Sequence, residues 1–248
     1  MIPRITLLPL LGLILTACSP APEDAPASLA PQAEPALAAR SNALCQATHR
    51  LQQQVVAFLD APTEASLANA RQTWQAAHQA YRLVQSDYAL AGLTPPQIAD
   101  SRDPIDAFPL LPGYLDQVPG YPNSGVVFSD VPLTPEFLAR EHQSTDFHYA
   151  ILGFHPLEFM LWGNPGENAA DQVNKFLGGP PKPEAEAIDV SGRRKDLIRL
   201  MAHSLDQQSK RLCEDEEQRR LTAVLASSPT PTPLTLETDA GAVAHQTP

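Results

Sequence analysis

Residues 63–91 read TEASLANARQTWQAAHQAYRLVQSDYALA, and this stretch decides the fold class. Its apolar side chains recur at steps of three and four residues, which is the period of one face of an α-helix. The face consists of Leu67, Ala70, Trp74, Ala77, Tyr81, Val84 and Tyr88. Thr63 is a good N-cap for this helix. A face this regular is typical of helices that pack in a bundle.

Other segments with helical periodicity flank this one. Threonine followed by proline at 134–135 is typical of a helix start, and the GNPG run at 163–166 is a strong stop. We expect further helices at about 36–60, 134–153, 156–162 and 193–225. Residues 94–132 are rich in proline and glycine but carry apolar clusters, which favours an ordered loop. Since no strand pair with hairpin chemistry is visible, the predicted fold is all-α, an up-and-down bundle with long ordered loops.

The N-terminus has the pattern of an export signal. Arg4 precedes an apolar run from Ile5 to Leu15, which is shorter than the roughly 20 residues that a spanning helix needs. Leu15-Thr16-Ala17-Cys18 resembles the lipobox of bacterial lipoproteins, so we expect residues 1–17 to be removed and Cys18 to carry the lipid. The alternative is a chance apolar start before a lone cysteine. Ser19 after the cysteine points to the periplasmic face of the outer membrane.

The remaining chain divides by composition. Residues 18–35 are rich in proline, alanine and acid and predict a flexible tether. Residues 36–226 form one expected helical domain, and 227–248 a disordered tail rich in proline and threonine. A net charge of −11 makes nucleic acid an unsuitable partner. In an oxidising compartment Cys45 and Cys213 predict a disulfide between the two ends of the domain, the alternative being two buried free thiols.

The chemistry concentrates at residues 153–163, GFHPLEFMLWG. His155 and Glu158 are three residues apart, which on a helix places an imidazole and a carboxylate on one face at metal-binding distance. That spacing is weak evidence alone, because a polar pair on an exposed helix face is the common outcome. Further candidate ligands are His148, Asp103, Asp106 and Asp116. Four other histidines are expected on exposed or helix-surface positions: His49, His142, His203 and His245.

Gly153-Phe154-His155-Pro156-Leu157-Glu158 with its apolar continuation resembles the GxHxxE signature of the imelysin family. This family contains the insulin-cleaving membrane protease and bacterial iron-uptake proteins. Supporting similarities lie at 74–81, 105–109 and 193–194, so the resemblance covers about 36–217. It implies an all-α fold, an extracytoplasmic site at His155 and Glu158, and a metal ion, most often iron, with zinc or copper as alternatives.

Two departures limit what the resemblance implies. Family members tend to have an arginine where this chain has His78 and a glutamate where it has Gln85. The family domain is also typically two bundles with the site near their junction, whereas this chain has length for one. Either the site is more open or a second copy supplies the missing wall in a homodimer.

The ligand count favours binding over catalysis. A hydrolytic zinc needs about three protein ligands and a nearby base, and the chain has no HExxH helix. Iron accepts mixed imidazole and carboxylate sets completed by water. We therefore expect a lipid-anchored iron-binding protein that passes metal to a transport or redox partner. A zinc metallopeptidase using the same pair and a metal-free interaction module are the two alternatives.

Overall fold

The computed structural model describes residues 30–98, 101–178 and 188–227. The predicted signal segment, the predicted lipidation site Cys18, the predicted tether up to residue 29 and the predicted tail from residue 228 lie outside these residues. Within them the chain is helical and has no β-strand, only an isolated bridge between Val118 and Tyr121. The all-α fold is therefore confirmed. No helix in these ranges is long and apolar enough to cross a membrane.

Three long helices form the frame of the bundle: α1 (Ala30–Asp60), α2 (Glu64–Ala91) and α7 (Val190–Leu212). Each runs antiparallel to its neighbour. Arg40 near the start of α1 pairs with Asp87 near the end of α2, with both nitrogen–oxygen distances at 2.7 Å. His203 of α7 contacts Gln52 of α1, and Cys213 at the end of α7 is bonded to Cys45. The predicted disulfide is thus present and joins α1 to α7.

Five shorter helices complete the fold: α3 (Pro112–Leu115), α4 (Pro135–Glu141), α5 (Phe154–Trp162), α6 (Ala169–Asn174) and α8 (Asp215–Ser227). A 3-10 turn covers Val126–Phe128. The core lies between α1, α2, α5 and α7, with α8 packed on α1 and α2.

The central helix α2 forms as its sequence predicts. Thr63 caps it, because its hydroxyl accepts from the Ser66 N–H while the Ser66 hydroxyl accepts from the Thr63 N–H. Gly92 ends it in the left-handed conformation, which glycine adopts without steric cost. The predicted apolar face is buried along its whole length.

The long loop after α2 is ordered because α7 holds it. Arg193 donates to the carbonyls of Val126, Val127 and Val131. Arg194 is buried and forms a two-pronged ion pair with Asp116. These arginines explain how a segment with little secondary structure packs against the bundle.

Several predicted boundaries were wrong. α1 begins at Ala30, so residues 30–35 of the expected tether belong to a helix. α4 ends at Glu141 instead of reaching Gly153, because His142 turns out of the helix and its ring accepts backbone N–H groups from residues 151 and 152. The last helix is split at 213–214 into α7 and α8. α6 lies in a stretch expected to be loop, where Asn168 caps it.

Candidate metal centre

Three side chains from distant parts of the chain meet at one point. His78 lies in the middle of α2, Asp106 in the loop after it, and His155 in the first turn of α5. One nitrogen of each imidazole and one Asp106 oxygen all lie within 4.8 Å of one another. The described residues therefore bring together a group with the donor atoms of a metal site.

Hydrogen bonds fix these three segments against each other. The indole N–H of Trp74 on α2 donates to the Phe154 carbonyl at 2.9 Å. The Phe154 N–H in turn donates to the Ile105 carbonyl at 2.7 Å, next to Asp106. These two hydrogen bonds fix α2, the Asp106 loop and the start of α5 against each other without using the side chains of His78, Asp106 or His155.

Gly153 permits this close approach. Its φ is +107°, a backbone conformation that residues other than glycine rarely adopt. A Cβ there would lie 2.6 Å from the Ile105 oxygen, which is the acceptor that orients the start of α5. The glycine that begins the GxHxxE signature is therefore required by the packing of α5 on the Asp106 loop.

A buried histidine supports the Asp106 loop from behind. His142 was expected at an exposed or helix-surface position, but it is 3% exposed. Its Nδ1 accepts from the N–H groups of Ile151 and Leu152, so Nε2 carries the proton and donates to the Asp103 carbonyl at 2.9 Å. Burial lowers the pKa of His142 to about 4. The neutral ring thus links the segment before α5 to the segment before Asp106.

Asp103 shapes the same loop. Its carboxylate accepts from the N–H groups of Ile105 and Asp106, at 2.9 and 3.2 Å. Burial raises the pKa of Asp103, and its two backbone hydrogen bonds oppose that rise. Asp103 was a candidate ligand, but in the structure its carboxylate organises the turn that presents Asp106.

At the centre, Asp106 lies between the two imidazoles. Its Oδ1 is 2.9 Å from Nε2 of His78 and 3.4 Å from Nε2 of His155. The three side chains are 13 to 20% exposed, so an ion from solvent can reach them. The two imidazole rings lie 5.2 Å apart and nearly perpendicular. Both ε nitrogens point toward the same carboxylate oxygen.

Glu158 lies on the other side of His155. Its Oε2 is 3.1 Å from Nδ1 of His155, the nitrogen that faces away from Asp106. A carboxylate in this position orients the ring and selects the tautomer whose Nε2 lone pair is free for a metal. The structure thus brings the predicted pair into contact, with Glu158 against the outer nitrogen of its partner.

The remaining candidates lie elsewhere. His148 is partly exposed and pairs through Nδ1 with Asp146 at 2.8 Å. Asp116 is buried, and both of its oxygens contact Arg194. Neither belongs to the group formed by His78, Asp106 and His155.

His78 is the site residue that sequence reasoning did not select. It was recognised only as a departure from the family, at the place of an arginine. Its spacing carried a signal: His78 is one turn after Trp74 and next to Ala77 on the buried face of α2. A histidine beside a buried helix face has few hydrogen-bond partners for its two ring nitrogens, and here Nε2 of His78 lies 2.9 Å from Oδ1 of Asp106.

Two imidazoles and one carboxylate are a donor set with defined chemistry. Together they suit a first-row transition metal and leave coordination positions open. Iron(II) sites of enzymes use this combination, and catalytic zinc sites use a similar one. Two aromatic rings pack against the imidazole of His78. The ring centroids of Trp74 and Phe154 each lie 4.9 Å from that of His78.

A family model matches most of the folded domain. A family model described as Imelysin matches residues 37–233, which include all three residues of the group and Glu158. No curated protein matches the chain.

Proposed function

This chain belongs to the imelysin family, and we propose that it is a lipid-anchored, extracytoplasmic protein that binds iron for uptake or homeostasis. One observation carries the proposal: His78, Asp106 and His155 converge from three separate segments. A cluster of two imidazoles and a carboxylate that is assembled from distant segments is a candidate functional site. The lipid anchor and its outer-membrane location are supported by the sequence around Cys18.

The donor set supports iron. Imidazole and carboxylate ligands with open positions suit both ferrous and ferric iron, whereas a thiolate site for copper(I) or structural zinc would need cysteine. Both cysteines of the folded domain are joined in the disulfide. Imidazole also accepts zinc and copper(II), so the metal's identity has to be measured.

The position of Glu158 favours carriage over hydrolysis. A zinc peptidase needs a carboxylate that takes a proton from metal-bound water. Glu158 instead faces Nδ1 of His155, on the side away from Asp106. A carrier needs ligands and access, and the structure supplies both.

The test is metal binding by the purified full chain. After removal of metals, iron(II) is titrated anaerobically into the parent protein and into His155→Ala and His78→Ala. We expect one iron per chain in the parent and at least about a 100-fold loss of affinity in each variant, because each removes one of three ligands. His203→Ala is the matched control, since His203 is an exposed histidine that contacts Gln52 on α1.

Two further results decide between the roles of Glu158. If it orients His155, Glu158→Ala lowers iron affinity by about 10- to 100-fold. A loss as large as that of His155→Ala makes Glu158 a direct ligand. Equal affinity in the parent protein and in His155→Ala would refute the metal site, and chelator-sensitive cleavage of an unfolded protein would favour the peptidase.

A further inference from the structure

An exposed aromatic ring lies at the mouth of the metal group. Phe108 follows Asp106 by two residues, is 71% exposed, and its ring centroid lies 4.9 Å from that of His155. A bound molecule that covered this ring would gain the free energy of burying its apolar surface. The inner aromatic residues, by contrast, are buried in the core.

Two further apolar side chains, Leu111 and Phe147, are exposed on loop segments that follow Phe108 in the sequence. Leu111 is 47% and Phe147 57% exposed. The Leu111 N–H donates to the His148 carbonyl at 2.8 Å, which brings the segment containing Phe147 beside that of Leu111. These two loop segments thus lie beside each other, and Phe108 is the exposed apolar side chain that contacts a residue of the ligand group.

The number of protein ligands limits which molecule could contact Phe108. The protein offers one atom from each of three side chains, which leaves about half of an octahedral iron shell to be filled from outside. A small chelator that occupies two adjacent positions would remain on the metal. The exposed ring of Phe108, 4.9 Å from that of His155, is the apolar group available to contact its body.

Charge limits the chelator further. Asp106 and Glu158 flank His155, and the whole chain has a net charge of −11. A ferric ion with two or three such chelators is an anionic complex that would be repelled, and it leaves fewer than the three positions that the protein ligands need. A ferric ion with one doubly deprotonated catechol carries a single positive charge and keeps its remaining positions occupied by exchangeable water.

We propose that the site takes up iron already bound to one small aromatic ortho-diphenolate. The ring of this chelator packs on Phe108, while His78, Asp106 and His155 replace water on the metal. Both catecholate oxygens stay bound, water molecules leave, and no electron is transferred. This inference rests on the proposed metal site and adds the chemical form in which iron arrives.

The experiment uses the purified full chain and ferric chloride mixed with one equivalent of catechol at neutral pH. The protein is separated from small molecules, iron and catechol are quantified, and the visible charge-transfer band of the catecholate is recorded. We expect equal amounts of iron and catechol on the protein. The band should differ from that of the solution complex, because nitrogen donors have joined the metal.

Phe108→Ala separates ring packing from metal ligation. It should weaken binding of the iron–catechol complex about three- to tenfold, the range of one aromatic contact, and leave binding of iron alone unchanged. Tyr121→Ala is the matched control, because Tyr121 is 70% exposed and is separated from Phe108 by α3. Phe108→Leu should bind the iron–catechol complex more tightly than Phe108→Ala but less tightly than the parent protein, because leucine is apolar but has no ring.

Each other outcome overturns the inference. Iron bound without catechol refutes the aromatic chelator and leaves the metal site intact. Equal affinity of the parent and Phe108→Ala for the iron–catechol complex refutes the packing role. If neither iron nor its catechol complex binds, both this inference and the proposed function fail.

Discussion

At the scale of single residues, His142 has the sharpest consequence for stability. Its ring must be neutral, because Nδ1 accepts two backbone N–H groups. Its pKa in the folded protein is about 4, below the ordinary value of 6.5. The unfolded chain therefore binds a proton first as the pH falls, and the folded state loses stability between about pH 6.5 and 4.

We predict that preferential protonation of His142 in the unfolded chain lowers the free energy of unfolding by up to about 3 kcal/mol as the pH falls from 6.5 to 4. His142→Gln cannot be protonated, so its unfolding free energy should depend less on pH, although it is lower at neutral pH. Urea unfolding at pH 7, 6, 5 and 4 measures both curves. His203→Ala serves as the control and should keep the slope of the parent; a His142→Gln curve parallel to the parent contradicts the prediction.

Residue-scale roles were only partly predictable from sequence. Gly153, His155 and Glu158 lie in one contiguous motif, so their proximity is local and readable. His78 and Asp106 join them through packing between α2 and a loop, which no spacing rule contains. His142 could not be assigned because its burial depends on where α4 ends.

At the scale of elements, α2 holds both ends of α5. Trp74 donates to the Phe154 carbonyl at the start of α5. Arg71, one turn earlier, donates to the Leu161 carbonyl at its end, and its guanidinium lies 5.3 Å from the centre of the Trp162 ring. Burial lowers the pKa of Arg71. A helix of nine residues has little stability alone, so these contacts supply it.

We predict that Trp74→Phe destabilises the fold by about 2–3 kcal/mol, because it leaves the buried Phe154 carbonyl without its donor and removes ring contacts. The free energy of unfolding from denaturant titration measures the effect. Trp162→Phe is the matched control and should cost less, since Trp162 is only partly buried. Equal costs in the two variants would show that the indole hydrogen bond contributes nothing.

Helices were predictable where periodicity and caps agreed. α2 has an unbroken apolar face and a capping threonine, so its start and its buried face were predicted correctly; its end at Gly92 was not assigned from the sequence. α4 was predicted too long because residues 142–153 are rich in aromatic and small polar groups that also suit buried turns. The split between α7 and α8 has no proline or glycine to mark it; it falls at the disulfide cysteine.

At the scale of the whole molecule, the Cys45–Cys213 disulfide closes a loop with a sequence separation of 168 residues. Such a bond restricts the unfolded chain more than the folded one. We predict that replacing both cysteines by alanine lowers the free energy of unfolding by about 3–5 kcal/mol. Thermal unfolding with and without reductant measures this. Reductant should destabilise the parent and leave the double variant unchanged; an equal response in both would contradict the prediction.

The convergence of His78, Asp106 and His155 has a consequence for the lifetime of the protein. An ion bound to all three ties α2, its following loop and α5 together, so loaded molecules open less often than empty ones. At a free metal concentration about 100-fold above the dissociation constant, the gain is about 2.7 kcal/mol. If the protein binds a metal as proposed, proteases would then remove empty molecules first. The amount of protein present would follow the supply of its metal, without any change in its synthesis.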